Sequence, residues 1–237
     1  MEMYCSNILK KIAKSRDDGS FCDLQIVCGK RRFNAHRNVH SRRSRTLKEG
    51  TSSVYEIKES SSVLVERMLD YMYTGTYDEL PSKATAKEGE ASPQKAAKLS
   101  PAAHVMLHAK MTELGDVYMV EGLGEYASKK FETLLASETT RNLLLDIVPE
   151  VYALKFDSST IIREIIVHSL RKKLHPPPLA TDIVETMAEL AIVVPDFSRD
   201  MLMSYCNASN HGVDFHWGPR AVQVNKARRQ IGGAHVY

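Results

Sequence analysis

The chain has 237 residues, of which 43% are hydrophobic and 26% are charged, and its formal net charge is +3. This length and composition are typical of a globular protein with one ordinary domain or two small ones. The small net charge gives no general indication of nucleic-acid binding, and no apolar run reaches the roughly 18 residues of a membrane-spanning helix. The N-terminus lacks the apolar stretch of a signal peptide, so we expect an intracellular protein, in the cytoplasm or nucleus.

The first elements predict a small sheet preceded by a helix. Residues 3–14 place apolar side chains at the spacing of a short amphipathic helix. In FCDLQIVC, residues 21–28, the side chains of Cys22, Leu24, Ile26 and Cys28 share one face of a predicted strand. After a Gly-Lys turn, RRFNAH is predicted to form a second strand that runs back beside the first. This pattern predicts a β-hairpin with one buried face. A third strand is predicted at residues 53–58.

A capped helix follows the predicted sheet. Ser60, Ser61 and Ser62 are candidate N-caps for VLVERMLDYMYTG, whose apolar residues recur at helical spacing. Gly75 supplies the C-terminal stop.

The composition then changes abruptly. Residues 81–98 contain no Val, Ile, Leu, Met or aromatic residue, so we predict a flexible insertion over about 81–100. From Ala102 the pattern is helical almost to residue 206, with breaks predicted at glycines that include Gly115. The predicted fold class is α+β, predominantly helical, with a small β-sheet flanked by helices and a helical C-terminal extension.

Two pairs of segments carry a resemblance to a known family. FCDLQIVCGKRRFNAHRNV, followed by VERMLDYMYTGTYDE, resembles the BTB/POZ family. Residues 113–135 and 195–202 look like later elements of its filamentous-fungal members. The resemblance implies a BTB/POZ-like domain over residues 1–136, a helical extension over 137–206 and a loose basic tail over 207–237.

The function implied by this resemblance is that of a non-enzymatic protein-interaction module. Members of the family commonly form homo- or heterodimers, and some recruit cullin-type ubiquitin ligases. We therefore expect the chain to bind protein partners. The first expectation is self-association, and the more specific hypothesis is binding to a cullin.

Two residues match the family pattern individually. Asp23 opens the first strand, and Arg37 follows the His of the F-x-A-H-R motif. In dimeric members the corresponding residues line a charged pocket near the dimer interface, and the resemblance implies this role here. The residues themselves equally allow an ion pair that supports the hairpin, since a buried Asp would be costly unless paired.

The sequence departs from the family after Arg37. Members usually continue through an apolar helix, whereas NVHSRRSRTLKEGTSS has only Val39 and Leu47 as large apolar residues. About two helical turns are therefore expected to be missing. A divergent gene copy or a misassigned intron boundary would produce such a segment, and its loss would affect stability, dimerisation and any cullin contact.

Histidines occur twice at a spacing that suits metal binding. His36 and His40, and likewise His104 and His108, lie four residues apart, which puts two ligands on one helix face. A zinc site needs a third or fourth ligand, and neither pair has one at a fixed spacing. We therefore expect no metal.

The remaining candidate motifs are incomplete. Cys206, His211 and His216 lack a second cysteine at zinc-finger spacing. The chain has no phosphate-binding glycine loop, nucleophile elbow or His-Glu-x-x-His motif, so we expect no catalytic residue and no cofactor.

An alternative function rests on KRRFNAHRNVHSRRSR, residues 30–45, which contains seven Lys or Arg. This stretch and the basic tail allow a nucleic-acid-associated transcriptional regulator, although no recognised binding motif accompanies them. The favoured interpretation places Lys30, Arg31 and Arg32 in an exposed turn and the next residues in a strand. A third hypothesis is a degenerate copy without specific activity.

Overall fold

The computed structural model describes most of the chain, and the ranges are residues 11–44, 46, 52–79, 100–137, 140–155, 157–174 and 179–209. The predicted insertion, apart from residue 100, and the tail from residue 210 onwards lie outside the described residues. The same holds for the first part of the predicted N-terminal helix.

The described residues form three strands and nine helices. In chain order they are α1 (residues 11–17), β1 (Leu24–Cys28), β2 (Arg31–Ala35), α2 (Arg37–Arg43), β3 (Val54–Ile57), α3 (Ser62–Thr74), α4 (Pro101–Val117), α5 (Leu123–Ser137), α6 (Arg141–Ala153), α7 (Ser158–Leu174), α8 (Thr181–Val193) and α9 (Pro195–Ser209). The predicted α+β class, predominantly helical with a small sheet, is confirmed. None of the described helices has the length and apolar character needed to cross a membrane.

The sheet is built on the predicted hairpin. Strands β1 and β2 pair antiparallel, with Leu24 opposite Ala35, and β3 pairs parallel with β1 to give the order β2-β1-β3. Leu24, Ile26 and Cys28 are buried, as their alternation predicts.

Helix α3 begins and ends where its sequence predicts. The Ser61 hydroxyl accepts a hydrogen bond from the Leu64 N–H at 3.3 Å, which caps the N-terminus. Gly75 has a φ of +76° and donates its N–H to the Tyr71 carbonyl at 2.8 Å. The left-handed conformation that ends the helix explains why glycine occupies this position.

Helices α4 and α5 link two hydrophobic cores. The first core joins the sheet and α3 to Leu107 and Met111 of α4. The second joins the later helices to Ala109 of α4 and to Phe131 and Leu135 of α5. The extension therefore packs on helices that also bury the sheet, and the domain boundary at residue 136 stays a prediction.

Helix α2 is short, and the chain passes from it directly to the turn between α4 and α5. The helix has seven residues, of which His40 is buried. Ser44 then forms an isolated antiparallel bridge with Val120, and the hydroxyls of Ser44 and Thr46 donate to the Tyr118 carbonyl. These contacts hold the segment after α2 against the helical part of the fold.

Candidate functional site

Tyr73 fixes the point at which the hairpin turns into α2. Its hydroxyl oxygen accepts the backbone N–H of His36 at 2.8 Å and lies 2.9 Å from His36 Nδ1. His36 Nε2 lies 3.1 Å from the Ser20 carbonyl, which can only accept, so the proton is assigned to Nε2 and Tyr73 donates to Nδ1. Burial raises the pKa of Tyr73 to about 12, which keeps this donor protonated. Both ring nitrogens of His36 are therefore engaged.

Asp23 caps helix α2 from a distance. His36, at the N-cap position, makes no side-chain capping bond. Instead Asp23 Oδ1 accepts the backbone N–H of Arg37 at 2.7 Å. A carboxylate at this position satisfies a donor that the first turn leaves unpaired. The two residues singled out by sequence are thus brought together, through the backbone of Arg37.

The side chains of this pair lie at the surface. Asp23 is exposed and Arg37 is half-buried, so the desolvation cost considered for a buried Asp does not arise here. The Arg37 guanidinium donates to the Ser52 carbonyl, which ties α2 to the start of β3. Whether either residue contacts a partner stays a prediction.

Phe21 is the residue at this surface that sequence reasoning missed. Its side chain is 93% exposed, and its backbone φ is +59°. A bulky residue rarely adopts this region because its Cβ is crowded, at a cost of about 1–2 kcal/mol. We refer to Phe21, Asp23 and Arg37 as the Phe21 surface. Alternation of apolar residues along β1 gave no signal for Phe21, since it lies before the strand.

A second group of polar and charged side chains lies between the end of α3 and helices α4 and α5. Glu79 Oε2 lies 2.7 Å from His104 Nε2, and Glu79 Oε1 accepts a hydrogen bond from Lys130 Nζ at 2.8 Å. His108 Nε2 lies 3.5 Å from Glu79 Oε1, and His108 Nδ1 lies 2.6 Å from the Tyr77 hydroxyl. We call Tyr77, Glu79, His104, His108 and Lys130 the Glu79 cluster.

The surroundings of Glu79 and His108 set the charges of these two side chains. Burial raises the pKa of Glu79, but the hydrogen bonds from Lys130 and His104 outweigh it and lower that pKa to about 2. Burial lowers the pKa of His108 to about 4, against the opposing attraction of Glu79. Glu79 is therefore ionised and His108 neutral at pH 7, and a neutral imidazole keeps a lone pair for a ligand.

Arg67 holds the backbone that carries Glu79. This buried side chain donates from Nε to the Asp78 carbonyl at 2.8 Å and from Nη2 to the Glu79 carbonyl at 2.9 Å. Two bonds from one rigid guanidinium fix the direction in which the segment leaves α3.

The two histidine pairs predicted from spacing have different outcomes. His36 is saturated by hydrogen bonds, and His40 is buried edge-on against Tyr73. His104 and His108 share one face of α4, and Glu79 supplies a third ligand atom beside them. Sequence reasoning missed Glu79 because the predicted insertion separates it from the histidines.

Several basic residues of the stretch 30–45 serve intramolecular contacts. Arg31 belongs to β2 and is half-buried, not in an exposed turn as predicted, and it forms two 2.9 Å hydrogen bonds with the Glu66 carboxylate. Arg42 Nε donates to Asn38 Oδ1 at 3.0 Å. Basic residues engaged in this way are less available to phosphates, which weakens the nucleic-acid hypothesis.

Comparison with known proteins adds one family and two structures. Residues 12–88 match the family model "BTB/POZ domain". The BTB domain of zebrafish PATZ1 is similar at 15% identity over 56% of this chain and 95% of that one, with a TM-score of 0.42. The BTB domain of human gigaxonin is similar at 13% identity over 53% and 89% of the two chains, with a TM-score of 0.37.

Proposed function

We propose that this chain, whose residues 12–88 match the family model of the BTB/POZ domain, is a non-enzymatic protein–protein interaction module that self-associates through the Phe21 surface. The observation that carries the proposal is Phe21 itself. A large aromatic side chain stands almost fully in solvent on a strained backbone, two residues before the exposed carboxylate that accepts the backbone N–H of Arg37.

The energetics of Phe21 support this role. Within the chain the residue adds strain and buries almost nothing, so its conformation brings no benefit to the isolated fold. Aromatic and Arg side chains are enriched at the centres of protein interfaces, where burying a Phe against a partner would stabilise the complex by about 1.5–3 kcal/mol. A second copy of the same surface is the partner that we propose.

The experiment is the solution mass of the purified chain by light scattering across a dilution series. We expect a species near twice 26.6 kDa that dissociates on dilution. Phe21→Gly should shift the dissociation to a concentration about tenfold higher or more, because it removes the aromatic contact. The same substitution should stabilise the monomer slightly, since glycine accepts a positive φ without strain.

Met119→Gly is the matched control. Met119 is also exposed, at 54%, and also has a positive φ, of +46°, but it lies in the turn between α4 and α5. It should gain monomer stability and leave the dimer unchanged. A wild-type chain that is monomeric at all concentrations would overturn the proposal and favour the degenerate-copy hypothesis. Equal weakening of the dimer by both variants would also overturn it.

Two finer statements belong to the same proposal. We propose that the chain is of the filamentous-fungal form with a shortened segment after the hairpin, which the seven residues of α2 support. We also propose that it acts as an adaptor for a cullin, tested by titrating the chain with a purified cullin N-terminal domain. Absence of binding at micromolar concentrations would remove the adaptor role and leave self-association untouched.

A further inference from the structure

We propose that Glu79, His104 and His108 form a binding site for a divalent transition-metal ion, and that Zn²⁺ is the ion their chemistry suits. One ligand atom from each side chain lies within 4.8 Å of the other two. Two imidazole nitrogens and a carboxylate oxygen are a donor set that zinc sites use, with a fourth position left for water or another donor.

His108 provides the observation that points to a ligand. The residue is fully buried, and its Nε2 has no hydrogen-bond partner among the described residues. The nearest acceptor, Glu79 Oε1, is at 3.5 Å, beyond a normal hydrogen bond. A buried ring nitrogen without a partner is costly, and coordination of a metal would remove that cost.

The opposite ring nitrogen of His108 is arranged as a metal-bound histidine requires. With a metal at Nε2, the proton lies on Nδ1, which then donates to the Tyr77 hydroxyl 2.6 Å away. Histidine ligands nearly always have such a second hydrogen bond, which fixes the tautomer and the ring orientation.

The distances and exposures suit entry and coordination. Metal–ligand bonds of about 2.0–2.2 Å separate the ligand atoms of a tetrahedral zinc site by roughly 3.3 Å. Glu79 Oε2 lies 2.7 Å from His104 Nε2 and Glu79 Oε1 lies 3.5 Å from His108 Nε2, so each histidine has one carboxylate oxygen at a separation close to this value. His104 and Glu79 have 31% and 34% of their side chains exposed, so the ion has a path from solvent.

Lys130 is the charge with which a metal must compete. Its ammonium lies 2.8 Å from Glu79 Oε1 and close to the rings of Tyr77 and Tyr126. It is half-buried, and its flexible side chain can move into solvent when a dication arrives. Removing this ammonium should therefore tighten metal binding, whereas a cluster that is only an ion-pair network would lose stability and gain no affinity.

The test is a titration of the full chain, first treated with a chelator, with Co²⁺ followed by visible absorption and with Zn²⁺ followed by calorimetry. We expect one tetrahedral Co²⁺ per chain and displacement by Zn²⁺. Glu79→Gln and His104→Gln should weaken binding by about tenfold or more, because each removes a ligand. Lys130→Gln should strengthen binding.

Two controls separate this site from other donors. His168→Gln removes an exposed histidine of α7 and should leave the binding unchanged. Cys206→Ser tests whether the metal binds instead at the pattern of Cys206, His211 and His216. A cobalt ion bound to the Cys206 thiolate would add a charge-transfer band to the spectrum. The proposal is overturned if the wild-type chain takes up neither ion, or if Glu79→Gln and His104→Gln bind like wild type. It is also overturned if Lys130→Gln, which acts in the opposite direction, binds more weakly than wild type.

Discussion

Gly115 and Gly124 bring the backbones of α4 and α5 into direct contact. A Cβ atom added to Gly115 would lie 2.8 Å from the backbone nitrogen of Gly124 and 3.2 Å from its Cα. Gly115→Ala should therefore lower the free energy of unfolding by about 1–3 kcal/mol, because α5 must shift and both cores pack on it. Urea unfolding followed by circular dichroism measures this loss.

Gly124→Ala is the control, since it makes the same chemical change on the other side of the contact. Its added Cβ would have the Thr112 carbonyl oxygen, at 3.9 Å, as its nearest neighbour, which is an ordinary distance. We expect stability to be unchanged, or raised by up to about 1 kcal/mol because alanine favours the helix. Equal losses in both variants would show that the close approach does not determine the effect.

Gly115 also illustrates which parts of the fold the sequence predicts. The hairpin and α3 depend on alternation, caps and a terminal glycine within a few residues, and they were predicted with their faces. Gly115 was predicted to break the helical pattern but lies inside α4. A glycine that ends a helix and one that lets two helices approach look alike in sequence, because the difference lies in the partner helix.

The same limit applies to the candidate sites. The spacing of His104 and His108 predicted a shared helix face, but Glu79 joins them only through the path of the chain after α3. Asp23 and Arg37 were selected by resemblance, whereas the capping bond between them depends on how the hairpin meets α2. Contacts between residues distant in the chain carry no local pattern, so only the folded structure reveals them.

Arg31 and Glu66 should be coupled in stability. Their paired 2.9 Å hydrogen bonds join β2 to α3, and both side chains are partly buried. A double-mutant cycle with Arg31→Ala and Glu66→Ala should give a coupling of about 1 kcal/mol, because two-point contact and partial burial strengthen an ion pair. The coupling should decrease in high salt.

The pair Glu56 and Lys58 is the control for this cycle. Both side chains are exposed, and Lys58 Nζ lies 3.4 Å from Glu56 Oε2 as a single contact. We expect no measurable coupling there, since solvent and salt screen exposed pairs. A coupling at Arg31 and Glu66 no larger than at the control pair would contradict the argument from geometry.

Arg67→Lys should destabilise the chain by about 2 kcal/mol even though it keeps the charge. Lysine lacks the rigid fork that places Nε at the Asp78 carbonyl and Nη2 at the Glu79 carbonyl, and its three N–H donors share a single nitrogen, so we expect at least one carbonyl to lose its donor. Chemical unfolding measures the loss. Arg32→Lys is the control, because Arg32 is exposed and its one hydrogen bond among the described residues is to Gln25 Oε1, and it should change stability by less than about 0.5 kcal/mol. Similar losses in both variants would rule out the two-carbonyl contact as the cause.

His40 should make the stability of the fold depend on pH. Burial, assisted by the charges of Arg16 and His36 and opposed by Asp23, lowers its pKa from 6.5 to about 4. The folded chain therefore binds this proton less well than the unfolded chain. The stabilisation is complete above pH 6.5 and is lost as pH falls from 6.5 to about 4, amounting to about 3 kcal/mol.

His40→Leu isolates this contribution, because it removes the proton site and keeps an apolar side chain of similar volume against Tyr73. Neither ring nitrogen of His40 has a partner among the described residues, so the substitution should preserve or raise stability at pH 7. The difference in unfolding free energy between wild type and His40→Leu should then grow by about 3 kcal/mol from pH 7 to pH 4.

His168→Gln, at an exposed position where burial lowers the histidine pKa less, should leave most of the pH dependence in place. A difference that stays constant across this pH range would mean that His40 is protonated as easily in the folded chain as in the unfolded one.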